Sequence, residues 1–245
     1  MLEVLHVRLQ NITEEQVRVA VGQTVLILAS QHLQTVISTL VNQPIPFDSW
    51  TSEMWMALGA DPIVASQIIE MVMEKLLIMA PYVDQRESVI RGGTTKVATN
   101  QPLAMTCGLK ELLLNGQSQE PAVSQFPQLF SCLTVRLGSS VGVSAPRDNN
   151  TKHTASVHVA GVAADALRIL LARAQLDEVM KRLDEDNAWD AVKEQNTHIT
   201  GVTQLARAMA KHAGPRLPAI VECLCPSLNN IYECQRITVT AFFSE

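Results

Sequence analysis

Apolar side chains recur along this chain at intervals of three and four residues. Phe126, Leu129, Phe130, Leu133 and Leu137 form one series, and Val159, Val162, Ala163, Ala166, Ile169 and Leu170 form another. Val202, Leu205, Ala206 and Met209 repeat the spacing, as do Leu217, Val221, Leu224 and Leu228. Such spacing places each series on one face of a helix. Apolar and polar residues alternate over no long stretch, so the pattern predicts an all-α chain with little strand.

Between residues 50 and 76 the helical pattern stops and restarts. Trp50, Met54, Ala57 and Leu58 form one stripe, and Ile69, Val72, Met73 and Leu76 a second. Gly59 between them suits a left-handed C-terminal cap. Asp61 suits an N-cap, and Pro62 the first helical position, where its missing N–H costs nothing. So short a turn predicts two closely packed antiparallel helices with facing stripes. A lone helical hairpin buries too little apolar surface to offset the entropy of ordering it, so a neighbouring hairpin is required.

An internal repeat extends this logic. Residues 9–16 (LQNITEEQ) and 228–235 (LNNIYECQ) share Leu, Asn, Ile, Glu and Gln at matching places. The first copy reads as a capping box, with Thr13 at N-cap and Gln16 three residues on, flanked by the staple pair Ile12 and Val17. Helices predicted near Thr13, Asp48, Thr99, Ala155, Thr197 and Ile231 divide the 219 residues from Asn11 to Asn230 into five intervals. Each is about 44 residues, within the range of HEAT-type repeats. A second set, at Gln31–Val41, Asp61–Met79, Pro121–Val141, Leu176–Leu183 and Pro215–Cys225, alternates with the first. The expected fold is a HEAT/armadillo-like α-solenoid of stacked antiparallel hairpins. Residues 1–245 form one array of about five pairs, with long structureless connections near 80–99 and 142–156 on a common rim. The helical pattern runs to Glu245 with no polar capping repeat, which reads as a fragment of a longer array.

Composition narrows the function. At 47% hydrophobic and 18% charged the chain can build a substantial core. A net charge of −5 and an aromatic content of 4% argue against a nucleic-acid binder. The first residues show no signal-peptide pattern. Uninterrupted apolar runs, such as residues 25–29, are too short to span a bilayer. Five sparse cysteines read as free thiols in a reducing compartment, which places the chain in the cytoplasm.

The segments from Asn42 to Leu76, Gln101 to Leu113, Phe126 to Val143 and Cys234 to Glu245 resemble the maestro HEAT-like repeat family. Pro46-Phe47-Asp48, Trp55 and Pro127-Gln128-Leu129-Phe130 carry the resemblance. It implies large intracellular eukaryotic proteins built of helical hairpins, and it supplies no catalytic motif to transfer.

Candidate chemistry is sparse. Gly138-Ser139-Ser140-Val141-Gly142 matches the serine-hydrolase elbow, but that motif needs a strand before the serine and a helix after it. Here a helix precedes, so the run reads as a helix C-terminus. Cys223 and Cys225, with Cys234 near in sequence, lack the paired spacing of a zinc site and read as packing thiols. The glycines and Lys96 of residues 90–96 lack the phosphate-loop pattern. His153 and His158 show no ligand spacing. No cofactor is expected.

The remaining feature is basic. Arg168, Arg207, Lys211 and Arg236 fall off the apolar stripes of successive helices. Stacked, they would form a ladder for an acidic partner; alternatively they are ordinary solvated charges, with Asp165 one turn from Arg168. The sequence therefore reads as a non-catalytic protein–protein scaffold. A peripheral adaptor on endomembranes and a serine or cysteine hydrolase on a helical frame are the alternatives.

Overall fold

The structure, a computed structural model, describes residues 2–4, 15–86, 92–147 and 157–245. These residues are predominantly helical. In chain order the elements are α1 (Glu15–Val41), α2 (Ser49–Leu58), α3 (Pro62–Ile78), β1 (Tyr82–Arg86), β2 (Thr94–Ala98), α4 (Asn100–Leu114), α5 (Gln119–Ser124), α6 (Phe126–Gly138), β3 (Val143–Ser144), α7 (Val159–Arg173), α8 (Asp177–Glu185), α9 (Ala188–Lys193), α10 (His198–His212), α11 (Leu217–Leu224) and α12 (Glu233–Phe243). Short 3-10 turns at Gly116–Ser118, Gly214–Arg216 and Cys225–Asn229 precede α5, α11 and α12. Thr13 and Ile12, half of the expected capping box and staple, lie outside the described residues.

The helices pack in two rows. α1, α2, α4 and α7 follow one another, and α3, α6 and α11 lie behind them. α2, α4 and α7 end side by side, and each end is tied to the next. Asn115 Nδ2 donates to Met56 O at 3.0 Å, and Arg173 Nε donates to Leu113 O at 2.7 Å. Both acceptors lie in the last turns of their helices, where intrahelical donors run out, and Met56 O also accepts from the capping Gly59 N at 3.0 Å. The packed face of α2 explains why Trp55 mattered in the sequence: its ring is fully buried against α4, where a Cβ on Gly108 would come within 2.4 Å of it. One hydrophobic core runs from Leu2 to Phe242 through all the longer helices.

Several sequence expectations change here. α2 and α3 are bent by 111° at their junction and do not form an antiparallel hairpin; α2 packs on α1 and α4 instead. Asp61 caps α3 as expected, its Oδ1 accepting from Ile63 N at 2.9 Å and Val64 N at 3.0 Å, with Pro62 in the first turn. Gly59, however, is right-handed (φ −73°), not left-handed. It is glycine for lack of room: a Cβ would lie 2.5 Å from Leu112 O. The helix expected over 121–141 is broken at Gln125, because Pro127 clashes with a continuing helix. In the series Leu217, Val221, Leu224, Leu228 only Leu224 is buried, joined by Ile220, and α11 ends at Leu224, short of Leu228. Periodicity missed the six-residue α9, launched from Asn187 in a left-handed conformation that asparagine tolerates. α9 packs on both α7 and α10, so those two helices are not direct neighbours as α2, α4 and α7 are.

The connections near 80–99 and 142–156 are not structureless. β1 pairs antiparallel with β2, and β2 pairs parallel with β3, Lys96 opposite Val143. A second small core of Ala98, Leu103, Cys107, Val159 and Val162 lies with Val143 and Phe47 beneath this sheet. Bilayer-spanning length also looks different in three dimensions. α1, 27 residues long and kinked at His32, has the length and hydropathy of a span although no uninterrupted apolar run does. It packs on α2, α3 and α4 through Val25, Ala29, Val36, Ile37, Leu40 and Val41.

The Trp55–Gly108 contact generates a test. Gly108→Ala forces a methyl into the indole, and overpacking of this kind costs about 1–3 kcal/mol. Urea denaturation monitored by tryptophan fluorescence should show a lower midpoint with an unchanged slope.

Candidate binding groove

The four basic residues singled out from the sequence are held by different neighbours. Arg168, half-exposed on α7, pairs with Asp184 of α8 at 3.1 Å and lies over the Trp189 ring, 5.8 Å from its centroid. Its carboxylate partner is therefore Asp184, not Asp165. Arg207 on α10 makes a two-pronged contact with Glu245, Nε and Nη2 each at 2.7 Å. Arg236 Nη1 donates to Asn230 O at 2.6 Å, and Lys211 is exposed on the last turn of α10.

The Gly-x-Ser-x-Gly run caps α6 and joins three helices. Ser140 is buried, and its hydroxyl donates to Arg136 O at 2.6 Å. Gly138 admits Thr238 of α12, whose Oγ1 would meet a Cβ there. Gln235 Nε2 donates to Ser139 Oγ at 2.7 Å. Thr238 Oγ1 lies 2.8 Å from His198 Nε2, and His198 Nδ1 lies 2.8 Å from Val192 O. Burial lowers the pKa of His198, which fits a neutral ring donating from Nδ1 to Val192 O. The strand–serine–helix context of a nucleophile elbow is not present at this serine.

The cysteines are all free: Cys107 is buried, Cys225 exposed and the others lie between. Among the described residues no group of His, Cys, Asp and Glu is arranged to hold a metal. Cys234 Sγ instead faces the Tyr82 hydroxyl at 3.8 Å. His158 accepts from Gly161 N at the start of α7; His153 lies outside the described residues.

Beside the α6–α12 junction opens a groove of about 390 Å³. Its walls come from α3 (Met73, Leu76, Leu77), α6 (Cys132, Val135) and the segment leading into α12 (Asn230, Tyr232), with the exposed Glu70 and Glu74 of α3 also lining it. Arg136 also lines it. This arginine was not singled out in the sequence, where it is the one charged residue of α6. It is only 4% exposed, and its Nε donates to Thr106 Oγ1 at 3.3 Å. Among the described residues no carboxylate pairs with it. The thiols nearest to it electrostatically, Cys107 and Cys132, are pushed up to about 11 by burial, so at neutral pH neither supplies a negative charge.

Comparison with known proteins agrees with this architecture. The family model described as Maestro, HEAT repeats, matches residues 1–69. Maestro heat-like repeat-containing protein family member 1 of Mus musculus is 37% identical over 253 residues, covering 100% of this chain. The chain belongs to the maestro HEAT-like repeat family. The human family member 1 is 34% identical over the same length, and the human family member 2A is 22% identical over 249 residues, 98% of this chain. The chain spans 15% of the length of each of these maestro relatives. No solved structure matches it.

The α6–α10–α12 junction predicts a pH response. The folded-state pKa of His198 lies below its ordinary value of 6.5, so the unfolded chain binds the extra proton first as pH falls. This contribution to stability is present above about pH 6.5 and is lost progressively below it. Urea midpoints should therefore fall from pH 7 to pH 5, with a shallower fall in His198→Gln, whose stability at pH 7 should already be lower. Equal pH slopes would remove His198 from this role.

Proposed function

We propose that this chain is a segment of a non-catalytic interaction scaffold, a HEAT/armadillo-like solenoid that binds protein partners in the cytoplasm. The observation that carries this reading is the match to maestro HEAT-like repeat proteins across the whole chain. The linked ends of α2, α4 and α7 support it, since repeat arrays gain stability through contacts between successive units. Residues 1–245 then act as one array. A peripheral membrane adaptor is the second reading, favoured by the hydropathy of α1.

Arg168, Arg207, Lys211 and Arg236 are the proposed partner contacts. An acidic partner would compete with Asp184 and Glu245 for the first two, so the internal pairs act as placeholders that keep the guanidinium groups extended. Arg168, Arg207 and Lys211 are exposed and Arg236 half-buried, and exposed charges change association rate and salt dependence more than stability.

Proximity labelling with the full-length parent protein identifies candidate partners, and the purified partner is then tested against this chain. Combined Arg168→Glu, Arg207→Glu and Arg236→Glu should slow association at low salt and weaken its salt dependence, with little change in melting temperature. Binding as fast as wild type would reject the basic contacts. Fluorophosphonate probes should leave Ser140 unmodified; stoichiometric labelling would reinstate the hydrolase. Flotation with anionic liposomes but no captured protein would favour the membrane adaptor.

A further inference from the structure

We propose that the groove between α3, α6 and the start of α12 binds an apolar monocarboxylate, with the Arg136 guanidinium as its counterion. This does not depend on the scaffold reading. An arginine stays protonated in proteins, and placing that charge out of water is costly unless it is paired. Arg136 has one long hydrogen bond from Nε and no carboxylate among the described residues. The hydrogen of Thr106 goes to Pro102 O, so its oxygen is free only to accept. The C-terminal end of α6 offers at most about half a negative charge. The guanidinium is therefore one charge short of balance, and it lines an open groove.

The rest of the groove specifies the other end of the ligand. Met73, Leu76, Leu77 and Val135 give an apolar wall, and Leu77 is 81% exposed. A volume of about 390 Å³ falls within the range of small-molecule sites, which combine apolar lining with a few placed polar groups. Glu70 and Glu74 among the lining residues disfavour polyanions, so one carboxylate on an apolar body fits where a phosphate-rich ligand does not. A carboxylate at Arg136 can accept from the terminal guanidinium nitrogens, which neither Thr106 nor any described acid engages.

Decanoate is a suitable probe, with decanol and decylamine as controls of the same chain length. Isothermal titration of the intact chain at pH 7 should show decanoate binding about tenfold or more tighter than decanol, the range expected of one charge-assisted hydrogen-bonded contact. Arg136→Met should bind decanol and decanoate within about threefold of each other. Because that variant could fail to fold, a second readout uses wild type alone. Cys223 lines the groove and Cys225 does not. Decanoate should slow maleimide modification of Cys223 and leave Cys225 unchanged. Equal binding of decanoate and decanol by wild type, no binding of decanoate, or unprotected Cys223 would each overturn the proposal.

Discussion

Unpaired carbonyls at helix ends are the constraint around which this chain is organised. Every α-helix leaves its last carbonyls without internal donors, and burial makes that costly. Here α2, α4 and α7 terminate together, and Asn115 and Arg173 reach from one end to the next to supply donors. Those bonds set the lateral spacing of the row, so the side chains between must fit a fixed gap. Gly59 and Gly108 are consequences: one makes room for Leu112 O, the other for the Trp55 ring. Packing and polar satisfaction thus depend on one another, and neither alone would hold the three helices in register.

The same economy governs the C-terminal half. Polar groups at the end of α6 are engaged by α12, and His198 closes the junction onto α9 and α10. Arg136 stands apart, because its neighbours are thiols kept neutral by burial. A repeat protein needs no such charge for stability; a hydrophobic residue would pack there with less loss. An uncompensated guanidinium beside an open groove is therefore better explained by what enters the groove than by what folds around it.

Much of the helix layout was legible because capping and periodicity are local. Asp48, Asp61 and Pro62 mark helix starts in the sequence as they do in space. What escaped was set by contacts distant in sequence. Gly59 looked like a left-handed cap, since nothing local reveals that Leu112 O would crowd a side chain. The strands are short and largely exposed, so their pairing left no alternation to read. Asp165 was the nearest acid to Arg168 in sequence, but α8 delivers Asp184 instead. Arg136 gave no signal because its importance lies in the carboxylate it lacks, and only three dimensions reveal a missing neighbour.

The small sheet has a consequence for synthesis. β1 and β2 are consecutive, so their antiparallel ladder joins residues that leave the ribosome almost together. The partner on the other edge of β2 is β3, which is translated only after α4, α5 and α6. Until then β2 carries one open edge, and open edges are where strands meet foreign chains. Lys96 in its middle, stacked over Tyr82, is the kind of charged residue that keeps such an edge from pairing wrongly during the wait. The nascent chain thus shields the edge chemically before it can close it structurally.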